Sequence, residues 1–477
     1  MSEPTNPSAV LSALINSLQP TEVLTPSSPD YTNHSSTFSA HRQKRPALVF
    51  APESVDSLSR IVREVYASGL DFDVRGHGFK CTSSEKVVLS MAKFNDFSYD
   101  HEKKLASIGA GLTWAEVCSK MTAEDPEYAT LVARTAKVGV GGSVLLGGYS
   151  WRSGRLGCIS DPANFVDAEV VKFDGQVVMA SEEPELMWAL RGGGGGFGVV
   201  TKLILRAHPC STKIWAGNIL IPQSELTRIV KGVADLMEDP DPAYTAFMYV
   251  TKRSIKETMR GKGEKKDAYA QGDHLVVYVY DEYGEEHGRK VFSFLLESPG
   301  AIDATKVTNI EGVTNGQANV DEMRGKAKIE FQTFGLPSLS YDAMMKALDW
   351  FYALPAYGKT IQESAMLVFE FKTLGPINGG TAKDCAYPRP SNFRHVILIS
   401  TGCAATASSD EWETAHQVAL EAPQKIFGEG VQVHVTPPAL EDFHDVRNTY
   451  GEHYGKIGQL RRKYDPEGRF KAIIPVA

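Results

Sequence analysis

Apolar residues recur along this chain with two different periods, and the texture changes where the period does. Ala47–Ala51 is a short apolar run that predicts a strand. Ser54–Ser68 carries Val55, Leu58, Ile61, Val62 and Val65 at helical spacing, and Asp71–Val74 predicts a second strand running into Arg75-Gly76-His77-Gly78. Strand, helix, strand and glycine turn make an α/β opening. Val87–Leu89, Leu105–Gly109, Glu169–Lys172 and Val177–Ala180 predict further strands, the last two paired across the Asp174-Gly175 turn. Trp114–Met121 and Pro184–Leu190 predict helices, and Val199–Arg206 closes the region as a strand. Ahead of all this, residues 1–45 read as a leader: a weakly amphipathic helix at Ala9–Leu18, then a polar run rich in Ser, Thr and Pro.

After Cys210 the rhythm becomes antiparallel. Thr245–Val250, His274–Tyr280, Met366–Phe371 and Arg394–Ser400 alternate as half-buried strands do, with helices predicted at Gln223–Met237, Tyr341–Tyr352 and Ser409–Lys425. The expected result is a second domain over 211–428, a sheet with helices on one face. Gly261–Gly272, dense in Lys and Glu, reads as a solvated insertion. No low-complexity linker separates the halves, so the cleft between them is the default ligand site.

Composition sharpens one region. Of 42 glycines in 477 residues, fourteen lie between Gly139 and Gly198, where an even spread would place about five. Such clustering implies backbone that turns sharply or approaches something closely. The net charge of -8 disfavours a nucleic-acid binder. No run of about 18 apolar residues suggests a membrane span. With no secretory pattern at the N-terminus, a cytoplasmic protein with reduced cysteines is expected. The glycines form four clusters: Gly76 and Gly78, Val138–Ser143, Gly147-Gly148, and Gly192–Gly198. Successive glycines let backbone N–H groups converge on an anion. No Gly-Lys-Ser/Thr follows them, and the five-glycine run follows a helix rather than a strand, which disfavours both a P-loop and a nicotinamide-type site. Any one cluster reads as a plain turn, but four of them in one α/β domain favour a large phosphate-bearing cofactor.

The order of these motifs resembles a known family. Pro46–Val55, Val74–Gly78, Leu105–Val117, Val138–Gly148, Ala168–Val178 and Trp188–Thr201 are similar to the FAD-binding (PCMH-type) domain of the vanillyl-alcohol-oxidase superfamily. Tyr450-Gly451, Lys463-Tyr464-Asp465-Pro466 and Phe470 resemble the ending of berberine-bridge-enzyme-like flavoproteins. The resemblance implies an α+β, two-domain FAD-linked oxidase architecture. A discontinuous FAD-binding domain (46–210, with 429–477 returning to it) would carry a substrate domain whose mainly antiparallel sheet is covered by helices. It implies FAD along Arg75, Gly76, His77, Gly78, Phe79 and Lys80 and along Val138, Gly139, Gly141, Gly142 and Ser143. Gly147, Gly196, Gly198 and Val200 would lie beside the rest of the dinucleotide.

Departures from the family pattern matter as much. Where relatives carry the flavin-linking His of Arg-x-x-Gly-His, this chain has Phe79, with His77 two places early; where bicovalent members carry Cys, it has Gly139. Non-covalent FAD is therefore expected. Counting back from Tyr450-Gly451, the family's catalytic tyrosine falls on His434, a competent base if neutral and an inert strand histidine otherwise. Tyr450 belongs to the same motif and joins the candidate catalytic groups. His453 stands where the family has Asn. Glu370 and Lys372 share one face of their strand. They either look at the flavin, where Glu370 would orient a base or bind an amine, or face solvent; Tyr278 and Tyr280 alternate likewise and are candidates for the same pocket. Cys158 reads as a buried, inert thiol.

The leading reading is an FAD-dependent oxidase. It would remove a hydride from a C–H next to O or N of a small organic substrate, in specialised metabolism, and return electrons to O2. A redox-silent cyclase or pericyclase on the same scaffold, and an inactive small-molecule-binding protein, stay open as alternatives.

Overall fold

The computed structural model describes residues 6–79, 83–239, 241–250, 274–316, 323–371, 374–429 and 433–474. Three sheets organise them. The first runs in the order Val23–Leu24, Leu48–Phe50, Val87–Ser90, Phe72–Arg75, its last three strands parallel. The helix Val55–Ala67 crosses between two of them. Ser54 caps it by accepting from the Ser57 N–H at 3.1 Å, and Leu58, Ile61, Val62 and Val65 are fully buried. The segment read as a leader is packed into this domain. Leu11, Leu14 and Leu18 join the same apolar cluster, and Val23–Leu24 pairs with the strand Leu48–Phe50. The three leucines of the segment predicted as a weakly amphipathic helix find their partner in a helix about 40 residues later.

The second sheet centres on Val199–Pro209, which pairs antiparallel with Leu105–Gly109, Phe165–Val171 and Tyr128–Thr130. That long strand leads into Ile214–Pro222 of the third sheet. Its eight strands run in the order Ile302–Thr308, Ile214–Pro222, His274–Asp281, Tyr244–Val250, Met366–Phe371, His395–Ala404, Ala327–Leu336, His434–Val435, with every neighbouring pair antiparallel. Helices Leu226–Leu236, Tyr341–Ala353 and Ser409–Phe427 accompany it. The alternating pattern located four of the eight; Ile214–Pro222 is apolar on both faces over much of its length and carries no clean period, whereas Ala327–Leu336 alternates over Ala327–Gln332 and was overlooked. The solvated insertion expected at Gly261–Gly272 lies outside the described residues.

The C-terminal helix His453–Tyr464 returns to the first domain. Arg461, 2% exposed, donates to the carbonyls of Gly196, Phe470 and Ile474 and to Asp465. Tyr66 donates to Asp465 at 2.8 Å and Tyr464 to Glu183 at 2.8 Å. The chain's end is thereby stitched to the glycine-rich loop. Among the described residues, no helix is long and apolar enough to cross a membrane.

Candidate functional site

A cavity of about 1280 Å³ runs between the glycine clusters of the first domain, the C-terminal segment and the third sheet. Its glycines are of two kinds. At Gly78, Gly139, Gly196 and Gly198 a Cβ would collide with the protein itself: 2.4 Å from the Ser36 carbonyl, 2.8 Å from the His77 ring, 2.0 Å from Arg461 Nη1 and 2.7 Å from Val170. These serve packing. At Gly76 and Gly142, also on the wall, a Cβ would meet nothing within 4 Å.

His77, Phe79, Val138, Gly141, Ser143 and Val200 also line the cavity. Arg75, Gly147 and His453 stand behind the wall. Arg75 is buried and donates to the Ser36 carbonyl (2.8 Å) and to that of Gly76 (3.1 Å), so it shapes the turn. A ring nitrogen of His453 lies 3.2 Å from the Ala386 carbonyl. Lys80 and Lys372 lie outside the described residues. Ser143 Oγ accepts from the Trp114 indole at 2.8 Å and donates to the Gly139 carbonyl, fixing the loop.

The place of the expected linking histidine is filled by stacking. Phe79 lies on Phe38 (4.7 Å between centroids, 15°), the Arg324 guanidinium sits 5.1 Å from its ring, and Arg324 donates to the His77 carbonyl at 2.9 Å. His77 presses its ring on Gly139, with Nε2 2.6 Å from the Gly111 carbonyl, and burial lowers its pKa. A cysteine at position 139 has no room beside that ring.

On the substrate-domain side the wall comprises Ile329, Phe331, Thr333 and Leu398, then Thr436 and Pro438–Asp442, with Tyr149 and Arg134 opposite. Thr436 is fully buried and its hydroxyl has no hydrogen-bond partner among the described residues. A buried hydroxyl left without a bond is costly, so a polar ligand atom suits it. Glu370 is fully buried and forms an ion pair with Arg134, which packs 4.8 Å from the Phe247 ring. Its strand face is therefore interior, away from solvent. Tyr278 and Tyr280 lie against Trp151 in the core (4.9 and 5.9 Å) and off the cavity wall; Tyr278 donates to the Val313 carbonyl, and the Tyr280 hydroxyl has no hydrogen-bond partner among the described residues. Tyr450, also buried, donates to the Gly192 carbonyl at 2.9 Å.

His434 is set back from the cavity, its Nε2 2.8 Å from the Tyr387 hydroxyl, and burial lowers its pKa to about 4 despite a favourable backbone hydrogen bond at Asn448. Cys158 is buried with its sulfur 2.6 Å from Arg389, which also pairs with Asp161 at 3.2 Å. The five described cysteines form no disulfide. Sequence reasoning missed Arg134, Tyr149, Tyr387 and Thr436. Arg134 and Thr436 lie in loops without period; only the distant partner Glu370 singles out Arg134, and only burial at the cavity wall singles out Thr436.

Residues 46–181 match the FAD binding domain family. An FAD-dependent monooxygenase of Cochliobolus heterostrophus is 33% identical over 457 residues, covering 90% of this chain and 83% of that one. The chain belongs to the FAD-linked oxidoreductases. The match to an FAD-linked oxidoreductase of Arthroderma benhamiae, 27% identical, spans just under half of either chain (46% and 45%). Berberine-bridge-like protein 1 of Physcomitrella patens shares the fold throughout, with a TM-score of 0.79 at 15% identity over 99% of this chain and all of that one. The two-domain FAD-linked oxidase architecture expected from the motifs is the one observed. An FAD-linked oxidoreductase needs a cradle for a dinucleotide, and the open glycines on the wall fit that need.

Proposed function

We propose that this FAD-linked oxidoreductase holds FAD non-covalently and oxidises a small organic molecule at a C–H bond next to O or N, with O2 as electron acceptor. The observation that carries it is the single cavity, larger than the roughly 300–1,000 Å³ usual for one small ligand. It joins bare glycine backbone at one end to Arg134, Tyr149 and Thr436 at the other. Bound FAD would supply the hydride acceptor.

The chain's own residues would do the rest. Gly76, Gly142 and their neighbours would hold the pyrophosphate and ring, and the Phe38–Phe79–Arg324 stack would occupy the position of a covalent tether. Glu370 would hold Arg134 at the wall as an anchor for a substrate oxygen, with Thr436 as a second polar contact. The apolar strip Ile329, Phe331 and Leu398 would exclude water from the substrate carbon. Tyr450, committed to Gly192, would keep the loop in place.

An absorbance spectrum before and after acid precipitation tests this reading. The yellow protein should lose all its flavin to the supernatant. Colour retained in the pellet would refute non-covalent binding, and a protein that purifies colourless and takes up no added FAD would refute the flavoenzyme reading.

A further inference from the structure

Arg134 and Arg42 both line the cavity beside the third sheet, and a glutamate holds each: Glu370 pairs with Arg134, and Glu441 with Arg42. The arginine is the partner presented in either pair. The arginine side chains are 21% and 14% exposed, against 0% and 5% for their glutamates. The sheet places the first pair. Val368 stands opposite Leu398 and Leu398 opposite Thr333, so Glu370, two residues from Val368, shares the face that carries two wall residues. Phe247 stands opposite Glu370, and the Arg134 guanidinium packs 4.8 Å from its ring. The N-terminal segment places the second pair. The Phe38 N–H donates to the Gly78 carbonyl at 2.7 Å; Ser39 Oγ donates to the Ile329 carbonyl at 2.9 Å and accepts from the Ile329 N–H at 2.7 Å.

Pairing leaves hydrogen-bond donors with little net charge. A guanidinium carries several N–H groups, so one carboxylate contact leaves others for a ligand, while that carboxylate offsets the positive field. Thr436 adds a buried neutral hydroxyl with no hydrogen-bond partner among the described residues. Ile329, Phe331 and Leu398 on the same wall are apolar. Asp442 also reaches the wall but is exposed, where water and salt screen it. An ammonium group here would face guanidinium N–H groups, with both glutamates already engaged. A carboxylate would surrender its hydration to guanidiniums whose charge is already met. Either is a buried charge short of a counter-ion, which is costly. A neutral oxygen accepts the same N–H bonds at a small desolvation cost.

We propose that Arg134 and Arg42, neutralised by Glu370 and Glu441, select a neutral, apolar, oxygen-bearing molecule, an aromatic alcohol rather than the matching amine or acid. The inference rests on the oxidoreductase reading above and narrows it: the C–H bond oxidised lies next to O. The arginines touch the substrate. The glutamates act through them, by setting the charge that they present. Removing a glutamate's charge while keeping its shape therefore changes which ligand is preferred, whereas loss of a merely structural contact weakens all ligands together.

The test uses 2-naphthalenemethanol, 2-naphthylmethylamine and 2-naphthoate, which share one skeleton and near pH 7 are neutral, cationic and anionic. Naphthalene fluorescence reports their binding to the FAD-loaded protein whether or not the flavin reacts. The alcohol should bind more tightly than either charged analogue by about tenfold or more. Glu370→Gln leaves Arg134 without its counter-ion and should tighten 2-naphthoate by about tenfold or more, with the alcohol little changed. Glu441→Gln makes the same test at Arg42 and serves alone if the first variant does not fold. An amine or acid that binds the wild type as tightly as the alcohol would overturn the proposal. So would an alcohol that does not bind, or an affinity for 2-naphthoate that neither variant changes. Anaerobic mixing with the alcohol should bleach the flavin; selective binding without bleaching would refute the narrowing to alcohol oxidation and leave the charge selection standing. If the protein takes up no FAD, the same fluorescence still ranks the three ligands, so failure of the flavoenzyme reading and failure of the selection are told apart.

Discussion

Arg461 is where the C-terminal segment, the glycine loop and the cavity meet, and replacing it should uncouple them. In Arg461→Met the stem keeps its volume, but Asp465, fully buried, loses its ion-pair partner at 2.8 Å. Removing one member of a buried pair costs about 3–5 kcal/mol. Asp465 keeps three other donors, the Tyr66 hydroxyl at 2.8 Å and the N–H groups of Arg469 (2.8 Å) and Phe470 (3.0 Å), which argues for the lower end, about 3 kcal/mol. The carbonyls of Gly196, Phe470 and Ile474 also lose a donor. For a unit of about 150–250 residues each kcal/mol shifts Tm by roughly 2–4 °C, so the FAD-binding domain should melt about 6–12 °C earlier. The assay is thermal release of flavin followed by its fluorescence, alongside circular dichroism. Lys463→Ala is the control. Its pair with Glu185 is about half-exposed on both sides and screened by solvent, so its loss should leave the release temperature close to that of the wild type. A release temperature for Arg461→Met that matches that of Lys463→Ala would refute the idea that the buried hub holds the glycine loop.

Two further outcomes follow from local chemistry. Tyr280→Phe removes a buried hydroxyl that has no hydrogen-bond partner among the described residues, so it should be neutral or stabilising by about 1 kcal/mol in denaturant titration, and it should leave the rate of flavin reduction by substrate unchanged. A raised half-saturation for substrate would instead put Tyr280 at the site. Glu116 closes a capping box on the helix Trp114–Glu124. Burial raises its carboxyl pKa, but hydrogen bonds from the Thr113 hydroxyl and N–H outweigh burial and leave it lowered. Its contribution to stability is therefore full above the ordinary carboxylate range and is lost as pH falls through its depressed folded value. Glu116→Gln should cost about 0.3–1.5 kcal/mol near pH 7, and the gap to wild type should close in acid. A gap independent of pH would show that the carboxylate charge plays no part.

What the linear chain determined by itself is local. Val55, Leu58, Ile61, Val62 and Val65 specify a helix because 3.6-residue periodicity is complete within one window, and Ser54 marks where it starts. The glycine clusters and the order of motifs around them were enough to name an FAD-binding domain. Tertiary structure decided the rest. Only packing separates Gly142, bare towards the cavity, from Gly139, pressed by His77. Only the return of distant chain pairs Glu370 with Arg134 across 236 positions, and brings Tyr387 beside both Tyr149 and His434. It also turns an apparent leader into part of the core through Leu11, Leu14 and Leu18. The reason is physical. Periodicity and turn chemistry are set by neighbours in sequence, whereas the identity of a hydrogen-bond acceptor or an ion-pair partner depends on which faces burial brings together, and no local window records that.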